Sequence, residues 1–247
     1  MSTTGVTAVI PARYASERFP AKMLADATGW PLIRHTYEQA SRAALVDRVI
    51  VAADDERIAD AVRGFGGEVI MTRVDHPNGT SRIAEVAEQL ETSIIVNVQG
   101  DEPDIDPAVI DEAVRTLRHA DDCPIGTIAS PFADDEDPAN PNIVKVVISR
   151  SGRAMYFSRA FIPHARDGGP VSVLKHIGLY VYRRAFLAQY VALPATPLEQ
   201  AERLEQLRVL EHDIPMVVGR AHARHHGIDT PEQYDAFVAR WSAANPA

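Results

Sequence analysis

The sequence predicts an α/β fold, with a Rossmann-like, mostly parallel sheet, helices on both of its faces and a small antiparallel β insertion. Three observations predict this fold. Five apolar, β-branched runs recur in the first 130 residues, helical patterns separate them, and the rhythm changes after residue 130. Continuous apolar strands that alternate with helices are typical of parallel sheets covered on both faces.

The parallel core is predicted from short strands and the amphipathic segments that follow them. The strands are expected at 6–12, 48–53, 67–72, 93–99 and 124–130. The helices are expected at 31–44, 55–65, 80–91 and 107–120, where apolar residues lie three and four positions apart. Each of the first four strands is therefore followed by a helix that can cover the sheet.

The second half of the chain predicts an antiparallel element and a closing helix. The stretch 142–158 indicates two strands around a turn at Ser151 and Gly152, and HIGLYVY (176–182) indicates another. Further elements are expected as helical segments at 183–191 and 197–211, a strand at 215–218 and a helix at 230–241, with Thr230 as N-cap and Pro231 in its first turn. We predict one domain over 1–247, with 142–182 as a β-rich insertion.

Composition excludes several classes of function. The 247 residues carry a net charge of −9, which argues against broad binding to nucleic acid. No apolar run approaches the ~20 residues of a membrane helix, and the N-terminus has no signal-peptide pattern, so we expect a cytoplasmic protein without a membrane partner. Cys123 is the only cysteine, which excludes an internal disulfide.

The first strand leads into a basic turn, IPARYASERFPAKML (10–24). Prolines and small residues interrupt helix formation there, while Arg13, Ser16, Arg18 and Lys22 follow the carboxyl end of the strand. Ligands bind at that edge of open α/β sheets. The turn lacks the glycines of a Walker A loop or a dinucleotide fingerprint, but its cations and backbone amides suit a polyphosphate.

The fourth strand ends in VNVQGDEPDID (96–106), which places Asp101 at the same edge of the sheet. A carboxylate beside a phosphate site suits Mg²⁺, which typically takes one or two protein carboxylates together with phosphate and water oxygens. The later acids, Glu102, Asp104 and Asp106, are interpreted as a solvated turn and a helix cap.

The stretch TRVDHPNGTSRIAE (72–85) leaves two interpretations open. Its polar groups suit recognition of a base, with Arg73 and Arg82 on either side of Gly79 and Thr80. The alternative is a helix cap with surface arginines, and these residues alone favour neither.

Eight motifs occur in an order that closely resembles the 3-deoxy-manno-octulosonate cytidylyltransferases, or CMP-KDO synthetases, a family of sugar nucleotidyltransferases. In chain order these motifs are IPARYASERFPAKML, TRVDHPNGTSR, NVQGDEP, NPNIVKVV, YFSRAFIP, HIGLYVY, LEQLRVL and GIDTPE. The resemblance covers nearly the whole chain. It implies a nucleotide-diphospho-sugar transferase-like fold, and transfer of CMP from CTP to 3-deoxy-D-manno-octulosonate (KDO) with release of pyrophosphate, for lipopolysaccharide or capsule synthesis.

The resemblance also implies the roles of individual residues. Those around CTP would be Arg13, Ser16, Arg18, Lys22, Arg73, Gly79, Thr80, Arg82 and Gln99. Those around the sugar would be Gln99, Arg159, His176, Tyr180, Glu205 and Gln206. Asp101 and Asp229 would share Mg²⁺, and Lys22, Arg18 and Asp101 would act in catalysis by neutralising charge on the phosphates. A homodimer with its contact near 142–182 is implied as well.

The chain departs from the family pattern at two positions. Ala21 stands where a glycine usually precedes the lysine, which would strain the turn if the position requires positive φ. Val181 follows Tyr180 where a smaller residue is common.

Several alternative functions remain open. The motifs do not separate KDO from its 8-amino analogue as the acceptor. A cytidylyltransferase for sialic acid or a methylerythritol phosphate shares the general fold, although LEQLRVL and HIGLY favour a KDO-type acceptor over these. A non-catalytic nucleotide-binding protein would be indicated by loss of Lys22, Asp101 or Asp229, but all three are present.

Overall fold

The structure is a computed structural model that describes residues 5–16, 18–169, 171–223 and 227–245. The chain divides into two compact units, Met1–Pro107 together with His225–Ala247, and Ala108–Arg224. The nine strands of the described residues are β1 (Val6–Ala12), β2 (Arg48–Ala53), β3 (Val69–Met71), β4 (Ile94–Asn97), β5 (Ile125–Pro131), β6 (Lys145–Ile148), β7 (Ala154–Ser158), β8 (Leu174–Arg183) and β9 (Met216–Arg220). The eight α-helices of the described residues are α1 (Leu32–Ser41), α2 (Glu56–Gly64), α3 (Gly79–Ala87), α4 (Pro107–Arg118), α5 (Arg184–Ala192), α6 (Pro197–Glu202), α7 (Gln206–Glu211) and α8 (Pro231–Ala244). The single domain over 1–247 stays a prediction.

The first unit contains four parallel strands in the order β3, β2, β1, β4. All of β4 is buried, and so are all residues of β1 and β2 except Pro11 and Arg48. Because successive side chains in a strand point to opposite faces, this burial means that both faces of these strands are covered. The predicted strands at 6–12 and 48–53 are confirmed residue for residue, whereas β3 and β4 are shorter than predicted.

The helices of the first unit begin at capping residues that the sequence supplies. The side chain of Asp55 accepts from Arg57 N ahead of α2, and that of Asn78 accepts from Ser81 N ahead of α3. Helix α8 begins as predicted, with a capping box at Thr230 and a proline in its first turn.

The C-terminal segment returns to the first unit and packs against α1. Ile228, Tyr234 and Phe237 form a buried cluster with Leu32. The hydroxyl of Tyr234 accepts a hydrogen bond from Ala27 N at 2.8 Å. This packing holds the residues before α8 beside the carboxyl end of β4.

The second unit contains the antiparallel pairs. β5 pairs with β8 in antiparallel orientation and with β9 in parallel orientation, while β6 pairs in antiparallel orientation with β7 and with β8. The turn between β6 and β7 includes Gly152 at φ 79°, a conformation that glycine adopts readily. The predicted mixture of a mostly parallel α/β core and an antiparallel insertion is confirmed.

The helical segment predicted at 197–211 is wrong as one element, because it breaks into α6 and α7. Arg203 at the break has φ 53° and ψ 51°, so its backbone is left-handed. The N–H groups of Arg203 and Leu204 both bond to Glu199 O, which ends α6. The chain then begins a second helix, α7, at Gln206. No helix among the described ranges has both the length and the apolar character needed to cross a bilayer.

Candidate functional site: a lysine between two carboxylates

The basic turn and the segment after β4 lie at the same edge of the first unit's sheet. β1 and β4 are parallel neighbours, with Val9 opposite Asn97, so both chains leave the sheet at its carboxyl end. The segment after β4 lies close to β1. A Cβ on Gly100 would lie 3.1 Å from Pro11 O, and Gly100 O accepts from Thr36 Oγ1 at 2.9 Å. A residue without a side chain at 100 therefore lets Asp101 sit directly beside the basic turn.

The ammonium group of Lys22 lies at the centre of this edge. Its Nζ donates to Asp101 Oδ2 at 2.6 Å, to Asp229 Oδ1 at 3.2 Å and to Ile228 O at 2.7 Å. The three donors of the ammonium thus have three acceptors. The Lys22 side chain is only 9% exposed, so these bonds form away from bulk water, where they are stronger than at an open surface.

The chain beyond residue 227 supplies one of the two carboxylates. Ile228 N donates to Asp101 O at 2.9 Å, which fixes the two segments side by side. Arg18 Nη2 lies 2.8 Å from Asp229 Oδ2, and its side chain is 67% exposed. The structure therefore brings together Arg18, Lys22, Asp101 and Asp229, four residues that the sequence analysis assigned to the phosphate and metal site. Arg13 on the same turn is exposed and Ser16 is half-buried.

Ala21 adopts the left-handed conformation, with φ 55° and ψ 26°. Left-handed backbone costs a residue with a Cβ about 1–2 kcal/mol. The conformation ends the turn, since Ala21 N donates to Tyr14 O and Ala21 O accepts from Leu24 N. A short 3-10 helix at Lys22–Leu24 follows and directs Lys22 towards Asp101. The concern that residue 21 requires positive φ is confirmed.

The segment 72–82 divides into a buried arginine and an exposed one. Arg82 is 4% exposed and donates to Thr72 Oγ1, to Arg73 O and to Asp54 Oδ2. Asp54 Oδ1 also accepts from Tyr14 N at 2.9 Å, so this aspartate joins Arg82 to the basic turn. Arg73 is exposed and pairs with Glu85.

Gly79 and Thr80 lie at the beginning of α3, close to the end of β1. The Cβ position of Gly79 is 3.4 Å from Pro11 Cγ. Gln99 lies after β4 and donates to Asn97 Oδ1 at 3.1 Å. These three residues stand beside the same sheet edge as Lys22.

Two residues near the segment 72–82 were not predicted to take part in the site. Asp54 directly follows the buried run of β2. Asp101 was predicted from the same kind of position after β4, but no role was predicted for Asp54. His76 lies between two partners, with Nδ1 3.2 Å from Ser81 Oγ and Nε2 bonded to Glu85. It ties the loop before α3 to the helix itself.

Apart from Gln99, the residues assigned to the sugar lie in the second unit. Arg159 follows β7, His176 and Tyr180 lie on β8, and Glu205 and Gln206 lie at the beginning of α7. Gln206 is 5% exposed, and Tyr190 Oη donates to Glu205 Oε2 at 3.4 Å. Burial raises the pKa of Tyr180 well above its usual value, so its hydroxyl stays protonated.

A β-bulge orients the residues on β8. The register of β5 and β8 shifts between Thr127 and Ile128, and Thr127 Oγ1 bonds to the carbonyls of Ile177 and Leu179. Because the single hydroxyl proton of Thr127 is used there, His176 Nε2 donates to Thr127 Oγ1 at 2.9 Å. The bulge therefore fixes the tautomer of His176 with its proton on Nε2. Bulges are frequent beside active sites, where they redirect side chains.

The chain is similar to known proteins over most of its length. A family model described as cytidylyltransferase matches residues 7–216. A 3-deoxy-manno-octulosonate cytidylyltransferase from Syntrophotalea carbinolica is 52% identical over 236 residues, which cover 92% of this chain and 94% of that protein.

Two solved structures resemble the chain over nearly its full length. One, a CMP:2-keto-3-deoxy-manno-octonic acid synthetase complexed with CTP, superposes with a TM-score of 0.93 at 41% identity, covering 97% of this chain and 99% of that one. A 4-diphosphocytidyl-2C-methyl-D-erythritol synthase from Anaerococcus prevotii gives 0.63 at 16% identity, covering 96% and 97%, which shows a shared fold alone.

Proposed function

The chain belongs to the cytidylyltransferase family, and we propose that it transfers CMP from CTP to the anomeric hydroxyl of KDO, releasing pyrophosphate. The observation that carries the proposal is the convergence of Lys22 with Asp101 and Asp229 at the carboxyl edge of a parallel sheet. It occurs in a chain that is 52% identical to a cytidylyltransferase named for this sugar.

The reaction is an in-line displacement at the α-phosphorus of CTP. The sugar oxygen forms a bond to phosphorus while the bond from phosphorus to the bridging oxygen of pyrophosphate breaks, and the hydroxyl proton passes to solvent. Such a transfer depends on positioning and on neutralising charge rather than on a covalent intermediate. Lys22 and Arg18 are the cations that would stabilise the charge of the departing pyrophosphate.

Lys22 must exchange at least one protein partner to bind a phosphate oxygen. Its three N–H donors are all engaged by Asp101, Asp229 and Ile228. Binding of CTP is therefore expected to move the ammonium away from one carboxylate.

The donor set around Lys22 fits Mg²⁺, which we propose as the cofactor. Asp101 and Asp229 are carboxylates, the hard oxygen ligands that Mg²⁺ takes together with phosphate oxygens, and they already converge on one positive charge. Those two residues would hold the ion, which would polarise the α-phosphate.

The nucleotide is proposed to lie between the basic turn and the beginning of α3. Arg13, Ser16, Gly79 and Thr80 would contact it, and Arg73 is exposed enough to do so. Arg82 is engaged by Asp54 and Thr72, so its proposed role is to hold the segment 72–73 in place. Gln99 is proposed to contact both substrates.

The sugar is proposed to bind through Arg159, His176, Tyr180, Glu205 and Gln206. An acidic sugar needs donors for its carboxylate, and the guanidinium of Arg159 is suitable. The product would supply activated sugar for lipopolysaccharide or capsule synthesis. We place the enzyme in the cytoplasm, where its nucleotide substrate is made.

We also propose that the enzyme is a homodimer with its contact in 142–182. That segment exposes three large apolar side chains, Met155 at 61%, Phe161 at 42% and Val171 at 37%. Burying these side chains against a second copy would remove their apolar surface from water. Light scattering at micromolar concentration tests this, and a monomer would contradict it.

Pyrophosphate release with CTP and Mg²⁺, measured separately with KDO, 8-amino-KDO and sialic acid, tests the function. We expect KDO to give the highest kcat/KM. A preference for 8-amino-KDO or sialic acid would change the acceptor while keeping the reaction. No release with any of the three sugars would contradict an enzymatic role.

A further inference from the structure

Glu202 links the two segments of the second unit that carry proposed sugar-binding residues. Its Oε1 accepts from Ser158 Oγ at 2.6 Å, and its Oε2 accepts from Arg159 N at 2.9 Å. Both partners lie at the end of β7. Glu202 itself is the last residue of α6, directly before the break that leads to Glu205 and Gln206. The carboxylate of Glu202 thus contacts the end of β7, while its backbone comes four residues before the start of α7.

The same two segments are also joined through the side chain of Arg159. Its Nε donates to Glu202 O at 2.8 Å, and its Nη2 lies 3.5 Å from Arg203 O. Its Nη1 donates to Pro141 O at 3.1 Å. A guanidinium has five N–H donors, and backbone carbonyls take three of them among the described residues, which fixes its plane. The remaining two N–H groups are the ones suited to a ligand carboxylate.

Lys145 holds Arg159 from its other side. The side chain of Lys145 is fully buried, and its Nζ donates to Arg159 O at 2.6 Å, to Ile143 O at 2.7 Å and to Asn140 O at 3.1 Å. The main chain of Arg159 is therefore fixed at its N–H by Glu202 and at its carbonyl by Lys145. A buried ammonium is costly to place, and here three backbone carbonyls satisfy it, one of them that of Arg159.

The backbone of Arg203 is strained at the point where this network ends. A residue with a Cβ in the left-handed region is disfavoured, and no glycine occurs at the break. Such conformations persist where the surrounding contacts determine them, and they occur frequently at functional sites. The contacts from Arg159 to Glu202 and Arg203 support this break, together with the bonds from the N–H groups of Arg203 and Leu204 to Glu199 O.

We infer that Glu202 is a positioning residue, which sets Arg159 and the beginning of α7 in the relative placement needed to bind an acidic sugar. It does so without contacting the reacting atoms, and Lys145 supports it from the 140–143 loop. The inference rests on the proposed function, because Arg159, Glu205 and Gln206 are sugar-binding residues only there.

Three variants test the inference. Glu202→Ala removes both acceptors, so Arg159 N loses its partner. Glu202→Gln keeps an acceptor for Arg159 N, and its amide can donate to Ser158 Oγ, so the geometry is retained without the charge. Glu211→Ala is the matched control, because Glu211 Oε2 also accepts two backbone bonds between α7 and α6, from Leu198 N and Glu199 N.

Steady-state kinetics separates positioning from general loss of structure. We expect Glu202→Ala to raise KM for KDO about tenfold or more, a change worth ~1.4 kcal/mol, while KM for CTP changes less than about twofold. Glu202→Gln should restore most of the sugar KM, and Glu211→Ala should leave it unchanged. Equal increases in both KM values, or the same effect in the control, would overturn the inference.

If the wild-type protein shows no transfer to any of the sugars, amide hydrogen exchange still tests the positioning role of Glu202. That outcome would contradict the proposed function, but the amides of 158–160 and 203–207 still report on the network. Faster exchange of both segments in Glu202→Ala, with near-normal exchange in Glu202→Gln, would support the positioning role. Unchanged exchange in Glu202→Ala would overturn it.

Discussion

Lys22 Nζ lies 2.6 Å from Asp101 Oδ2, so the residue proposed to bind phosphate is held by a residue proposed to bind metal. Asp229 and the carbonyl of Ile228 complete its surroundings. In the absence of substrates, the positive charge of Lys22 stabilises two carboxylates that would otherwise repel each other. Binding of a divalent cation and release of Lys22 are therefore expected to be coupled.

Replacing Lys22 by methionine should strengthen binding of a divalent cation in the absence of nucleotide. The variant keeps much of the side-chain volume but removes the internal positive charge beside Asp101 and Asp229. We expect Mn²⁺ affinity, measured by calorimetry or electron paramagnetic resonance, to increase about tenfold as the repulsion disappears. The double variant with Asp101→Asn should lose the gain. Unchanged Mn²⁺ affinity in Lys22→Met would show that the carboxylates do not form a cation site.

Asp101→Asn should lower turnover by about a hundredfold or more, because it removes a charged group from the proposed phosphate and metal site. Asp104→Asn is the control. Asp104 lies in the same segment and pairs with the exposed Arg240 at 2.8 Å, so its loss should change kcat less than about twofold. Pyrophosphate release under saturating CTP measures both, and a normal rate in Asp101→Asn would remove this residue from the catalytic site.

Ala21→Gly should stabilise the protein. Glycine adopts the left-handed backbone of residue 21 without steric cost, but it also gains freedom in the unfolded chain. The difference between these effects is about 0.5–1 kcal/mol in favour of the variant, or a rise in Tm of about 2 °C for a chain of this size.

Ala25→Gly provides the comparison for Ala21→Gly. Residue 25 has φ −61°, where glycine offers no relief, so this variant should be less stable than the wild type. Calorimetry of both variants decides the matter. A lower Tm in Ala21→Gly would mean that the alanine is not strained.

His35 should make the protein sensitive to acid. The ring is 2% exposed among Trp30, Phe237 and Trp241, and this burial lowers the pKa of His35 to about 4, although Asp104 acts in the opposite direction. The unfolded chain takes up this proton near pH 6.5, whereas the folded chain takes it up only near pH 4. The contribution of neutral His35 to the free energy of unfolding is therefore complete above pH 6.5. It is lost as the pH falls from 6.5 to 4, by about 3 kcal/mol in total.

Chemical denaturation at several pH values measures this effect. His35→Phe keeps an aromatic ring and removes the titrating group, so its unfolding free energy should decline less between pH 6.5 and 4. Parallel pH profiles for the two proteins would contradict the assignment.

The sequence predicted the elements whose signals are local. The apolar runs of β1 and β2 stop abruptly at a polar or turn-forming segment, so their ends could be read directly. The break at Arg203 was missed because its left-handed backbone is held by Glu202 and Arg159, which lie over forty residues apart in sequence. No glycine marks that position.

In the candidate site, too, the residues with a local sequence signal could be predicted, whereas contacts between distant segments could not. Asp101 could be predicted because it follows a buried strand, and the strain at Ala21 could be anticipated from the residue type that the family usually has there. The approach of Asp229 to Lys22 depends on α8 packing against Leu32, which no local pattern encodes. Arg82 was assigned to the nucleotide, but its burial against Asp54 depends on the pairing of neighbouring strands.

The most direct test of the central claim is phosphorus NMR of CTP, KDO and Mg²⁺ incubated with the protein. Transfer of CMP predicts equal amounts of pyrophosphate and of a new phosphodiester signal from the CMP–sugar, with no phosphodiester when KDO is omitted. Unchanged CTP, or hydrolysis to CDP and phosphate without a phosphodiester, would contradict the account.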